Sequence, residues 1–151
     1  MTAPPTATVP IPDTTRARRA RRRSWRHLAI TLPAGASDLL SLTRRLVLAN
    51  LLNWGADPAT AENVKLCASE LVGNVFRHTG GPARLELTVR KGVALLQVSD
   101  TSTEPPGASE PDEDVLREYG KGLHIVKAVA REVSVEIHGW GKTVTASFEL
   151  A

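Results

Sequence analysis

The chain has 151 residues, 42% of them hydrophobic, enough for one buried core and too few for two ordinary domains. Its net charge of +3 is unevenly placed: residues 1–27 hold seven arginines against the single acid Asp13, a net of +6, which leaves −3 on the rest. The longest nearly apolar run, Leu46 to Leu52, is far short of the ~20 residues that span a bilayer, and no apolar stretch backs the N-terminal arginines as an export signal requires, so a cytoplasmic protein without a membrane segment is expected.

Met1 to Thr15 is rich in Pro, Thr and Ala and offers little to bury, which predicts disorder. The run RARRARRRSWRH that follows can dock on an acidic protein face, anionic lipid or nucleic acid, but reads first as a solvated tail. Residues 1–23 are therefore read as a tail and residues 24–151 as the domain. Leu28, Ile30 and Leu32 alternate with His27, Ala29 and Thr31, the period of a half-buried strand, ended by Pro33. Ser37 offers a helix N-cap, and Leu39, Leu42, Leu46 and Ala49 mark the apolar stripe of a helix ending near Trp54-Gly55.

A second helix opens with Asp57 as N-cap and Pro58 at its first position, runs to His78 and stops at Thr79-Gly80-Gly81. Its buried stripe is Val64, Cys67, Ala68, Leu71 and Val75. Cys67, the single cysteine, is read as a small buried hydrophobe, since one thiol forms no internal disulfide. Leu85, Leu87 and Val89 then alternate with polar residues, Lys91-Gly92 turns the chain, and Val93 to Asp100 returns as the partner strand of a hairpin. The segment from Thr101 to Tyr119 carries three prolines and Glu110, Asp112, Glu113 and Asp114. It is longer than ordinary connectors and reads as a functional lid or a disordered stretch. Gly120-Lys121-Gly122 leads into a helix through about Arg131, followed by a strand with Val133, Val135 and Ile137, a turn at Gly139-Trp140-Gly141 and a last strand with Val144, Ala146, Phe148 and Leu150. Two hairpins and three helices predict an α/β two-layer sandwich, a mostly antiparallel mixed sheet with helices on one face.

On the second helix Glu70, Asn74 and His78 stand at i, i+4 and i+8, and so project from one face at steps of about 6 Å. A carboxylate, a neutral oxygen and an imidazole in line could meet a metal-bound phosphate, or simply form a polar flank in water. Asp100 ends a strand whose inward residues Leu96 and Val98 are apolar. Its carboxylate then needs a good donor, such as an adenine amino group, unless it caps the following turn. Gly120 and Gly122 let backbone N–H groups at a helix start approach an anion, with Lys121 adding charge. This is no dinucleotide fingerprint, because Ile125 holds the third glycine position. Gly141-Lys142-Thr143 is no P-loop either, because Glu136 holds the earlier glycine position.

In order, ELVGNVFRHTG (70 to 80), LLQVSD (95 to 100), YGKGLHIV (119 to 126) and GWGKTVTASFEL (139 to 150) closely resemble the Bergerat-fold (GHKL) ATPase/kinase superfamily. The likeness runs from about Arg26 to Ala151, and the combination is more specific than any one piece. With no dimerisation helix bearing a phosphoacceptor histidine and no transducer segment in the chain, the resemblance is to the anti-sigma-factor serine/threonine kinase branch. It implies ATP and Mg²⁺ as cofactors. Asn74 would ligate the Mg²⁺ that bridges the phosphates, and Glu70 would be the catalytic general base. Asp100 would bind the adenine amino group, Gly120, Lys121, Gly122 and Leu123 would form the phosphate element, and Thr143 would support adenine through water. His78 also matches, as a packing or capping residue.

The implied partner is an anti-anti-sigma-type protein substrate, with a sigma factor as a further partner and a homodimer left open. Direct nucleic-acid binding is not expected, because only Trp25 could stack a base near the arginines. A non-catalytic ATP-binding module that sequesters its partner is the alternative. One departure bears on catalysis: after Asp100 the chain reads Thr101-Ser102-Thr103-Glu104, where the superfamily has Asp-x-Gly-x-Gly.

Overall fold

The computed structural model describes residues 26–101 and 123–150. The tail, the segment after Thr101 expected as a lid, and Gly120, Lys121 and Gly122 lie outside the described residues.

Strand β1 spans Arg26–Leu32, β2 Ala83–Arg90, β3 Val93–Asp100, β4 Glu132–Ile137 and β5 Lys142–Glu149. They form one five-stranded sheet in the order β1-β2-β3-β5-β4. Among the described residues all four pairings are antiparallel, so the two-layer α+β architecture is present with an antiparallel sheet in place of the expected mixed one. A short 3-10 turn at Ser37–Leu39 precedes helix α1 (Leu40–Asn53), and helix α2 covers Pro58–Thr79. A third helical stretch, α3, covers residues 123–129.

Local chemistry sets the ends of α2. The Asp57 carboxylate accepts from the Thr60 backbone N–H at 3.0 Å, Pro58 sits in the first turn, and Gly80 closes the helix at φ 72° with its N–H donating to the Phe76 carbonyl. In the β2–β3 hairpin, Lys91 and Gly92 take φ of 49° and 75°, the paired positive φ that a two-residue hairpin turn requires.

The core lies between the helices and one sheet face, where Leu85, Leu87, Leu96 and Ala146 meet Ala61, Val64, Cys67, Ala68 and Val72 of α2, all of them fully buried. The expected stripe of α2 is therefore the real one. That of α1 is not: its buried residues are Thr43, Val47 and Leu51, while Leu39, Leu42 and Leu46 are 39%, 46% and 37% exposed. Ser37 makes no side-chain cap either, because the 3-10 turn intervenes. The helix is apolar on both sides, so periodicity alone offers two stripes. The inward one is made possible by Thr43, whose hydroxyl donates to the Leu39 carbonyl at 2.9 Å and so enters the core satisfied. In β4 only Val133 packs on the core. Val135 and Ile137 stay 38% and 51% exposed on this edge strand.

Candidate functional site

Helix α2 carries Leu71, Asn74 and Val75 over the ends of β3 and β5, where Val98, Asp100, Lys142 and Val144 rise from the sheet, and Leu123 of α3 closes the group. These eight residues line an open cleft. Its walls are mainly aliphatic, with Asn74 at one side and Asp100 and Lys142 at the other. A few convergent polar groups in an apolar cleft are the usual arrangement for an organic ligand.

Asn74 is 8% exposed, belonging as much to the buried stripe as to the polar one. Its Oδ1 accepts from Arg77 Nη2 at 2.5 Å, and the same Nη2 lies 4.0 Å from Glu70 Oε2. Arg77 thus folds back along α2 and lays one guanidinium against both residues. With the Glu70 and Arg77 side chains 26% and 46% exposed, this pair is a weak, screened one. It shows that the oxygens of Glu70 and Asn74 form a place for positive charge. His78, a turn further on, has interactions of its own and is not among the lining residues.

Asp100, 5% exposed, faces Lys142, also 5% exposed, directly across the β3–β5 ladder, with Nζ 3.3 Å from Oδ2. The ladder is fixed beside them by Gly141, where an added Cβ would run into the Asp100 carbonyl oxygen and approach its carbon at 2.9 Å. No larger residue fits there without moving β5 off Asp100.

Thr143 has the opposite parity. Lys142, Val144, Ala146 and Phe148 are buried, whereas the Thr143 hydroxyl meets Ser99 Oγ at 2.9 Å and His138 Nε2 at 3.1 Å, away from the cleft. Of the residues singled out in the sequence, the fold brings Asn74, Asp100 and Leu123 to one cleft with Glu70 one helical turn before Asn74, and puts Thr143 on the other face of the sheet. Lys142 and Arg77 were missed. Strand parity would have found the first, and the i+3 spacing from Asn74 the second.

Cys67 lies behind this wall, fully buried as expected. Burial and then the nearby Glu70 carboxylate push its thiol from 9.0 up to about 12. The proton is held more tightly in the folded than in the unfolded chain. The associated stability is therefore full below about pH 9 and is lost as pH rises toward 12. Native protein at pH 8.5 should resist iodoacetamide while unfolded protein is alkylated at once, and rapid labelling of the native chain would contradict this burial.

Neutral amide oxygen suits Mg²⁺, which takes few protein ligands when phosphate oxygens and waters complete its shell. Among the described residues no group of three or more His, Cys, Asp or Glu forms a metal cage. A metal at Asn74 would thus rely on its ligand's own oxygens and would displace the Arg77 contact. Among the described residues no helix is long and apolar enough to cross a membrane.

The family model described as histidine kinase-like ATPase domain matches residues 33–148. The solved structure of the RsbU and RsbW domains of Rv1364c from Mycobacterium tuberculosis superposes with a TM-score of 0.63 at 20% identity, over 83% of this chain and 32% of that one. The SiaB-SiaC complex from Pseudomonas aeruginosa gives 0.66 at 15% identity, over 90% of this chain and 97% of that one. At these identities the likeness is one of fold, and this chain spans about a third of the Rv1364c chain. No curated protein matches in sequence.

Proposed function

Because the chain belongs to the histidine kinase-like ATPase domain family, we propose that it binds ATP with Mg²⁺ in the cleft between α2 and the sheet and passes the γ-phosphoryl group to a serine or threonine of an anti-anti-sigma-type protein. The observation that carries this reading is the convergence of Asn74 and Asp100 on one aliphatic cleft with Glu70 one turn from Asn74. Asp100 accepts the amino group of adenine, and Leu71, Val98 and Val144 sandwich the base. Asn74 Oδ1 would hold a Mg²⁺, which would supply positive charge at the phosphates during transfer. Gly120, Lys121, Gly122 and Leu123 are assigned to the phosphates on the strength of the motif. Thr143, on the opposite sheet face, is left with a supporting role beneath Asp100 through Ser99.

In the transfer step the substrate hydroxyl oxygen attacks the γ-phosphorus, the bond from phosphorus to the β,γ-bridging oxygen breaks, and ADP departs. Glu70 takes the hydroxyl proton. For this the carboxylate must be free of Arg77, whose guanidinium is anchored on Asn74 Oδ1, the same oxygen that would hold a Mg²⁺. A protein partner is supported by the SiaB fold being solved in a complex with SiaC. The cell compartment of such a protein is the cytoplasm, where ATP is, and a sigma factor or a second copy of the chain would be further partners.

One observation favours a second reading. The same Arg77 contact leaves Glu70 paired, and a paired carboxylate is a poor base, so the chain could act as an ATP-binding module that sequesters its partner without transfer. Incubating the full chain with radiolabelled ATP and its copurified partners separates the two. Label on a partner serine or threonine is the expected result, and partner binding that responds to ATP without label would leave only the second reading.

A further inference from the structure

We propose that Lys142 is a second base-reading residue, so that the Asp100–Lys142 pair, and not Asp100 alone, recognises the hydrogen-bonding edge of the purine. This rests on the ATP reading of the cleft given above. The first support is placement. Lys142 lies directly across the ladder from Asp100, lines the same cleft, and holds Nζ 3.3 Å from Oδ2 with 5% of its surface exposed.

The second support is energetic. A lysine is almost never this buried unless it is paired, as Lys142 is with Asp100. A buried ion pair brings little net stability, because the cost of dehydrating both ions offsets their attraction, and an apolar pair of similar volume would serve the fold as well. This pair stands on a cleft wall among Leu71, Val98 and Val144, where a ligand could meet it.

The third support is chemical complementarity. Adenine presents its 6-amino donor beside the N1 acceptor. A carboxylate offers only acceptors, so Asp100 alone meets the amino group and leaves N1 to water. An ammonium beside the carboxylate supplies the missing donor. Asp100 accepts from the amino group, Lys142 Nζ donates to N1, and the aliphatic walls keep water from competing. The strand register makes this a built feature: Gly141, which tolerates no side chain against the Asp100 carbonyl, fixes the residue that follows it opposite the carboxylate.

The test is calorimetric titration of the full chain with Mg-ATP and with Mg-1-deaza-ATP, in which N1 is replaced by C–H. Wild type should bind the deaza analogue about tenfold more weakly, the effect of one hydrogen bond to a charged group. Lys142→Met should bind the two nucleotides alike, because the donor that tells them apart is gone. If that variant alone does not fold, Asp100→Asn with Lys142→Met removes both charges and serves the same comparison. Wild type that binds both nucleotides equally, or a folded Lys142→Met that still discriminates tenfold, overturns the assignment of Lys142 alone. Absence of any ATP binding to wild type overturns the nucleotide reading and this inference with it.

Discussion

Replacing Glu70 with alanine is expected to cut phosphoryl transfer by about 10²–10⁴-fold, the usual contribution of a positioned base, without weakening the binding of Mg-ATP. The two effects separate because Glu70 does not line the cleft, whereas Asn74, one turn along the same helix, does. On the proposed role its work would be confined to the hydroxyl proton, so its loss should fall on the transition state and not on the ground state. Single-turnover phosphorylation of the cognate partner at saturating ATP measures this. Equal rates in variant and wild type would reduce Glu70 to a tether for Arg77.

Asp100→Ala should have the largest effect on the fold itself. It removes the counter-charge from an ammonium whose side chain is 7% exposed, and breaking a buried pair in this way costs about 3–5 kcal/mol. That is a large part of the ~5–15 kcal/mol that holds a domain of this size together. Removing both charges is a different experiment. Asp100→Leu combined with Lys142→Met leaves no ion to dehydrate, so the double variant should regain most of the stability lost by Asp100→Ala while remaining unable to read the base. Urea unfolding of the three chains decides the matter, and a double variant as unstable as Asp100→Ala would mean that the damage comes from packing and not from charge.

What could be read in the sequence follows a physical division. Helix α2 was legible end to end because each signal was local: Asp57 and Pro58 at its start, Gly80 at its stop, and a single apolar stripe between them. The hairpin turn at Lys91-Gly92 was legible for the same reason. Helix α1 was not, because Leu39, Leu42 and Leu46 make as good a stripe as Val47 and Leu51, and only the docking of α1 on the rest of the fold chooses between them. At the base end of the cleft, the motif drew attention to Thr143 while the strand's own alternation pointed to Lys142. Val144, Ala146 and Phe148 face inward, and only Lys142 shares their parity. Arg77 was hidden differently. Its side chain reaches two residues already assigned to the site, and a contact between neighbours on one helix face has no sequence signature beyond spacing.

The claim on which the rest depends is that Asn74 holds a metal on the phosphates of a nucleotide bound in this cleft. It is tested most directly by titrating Mg-ATP into wild type and Asn74→Ala, each with Mg²⁺ and with a chelator. Wild type should bind ATP and lose affinity when Mg²⁺ is withdrawn, and Asn74→Ala should bind at least tenfold more weakly, about 1.4 kcal/mol, with little further loss to the chelator. A folded Asn74→Ala chain that binds Mg-ATP as tightly as wild type, and loses as much affinity to the chelator, would contradict the account.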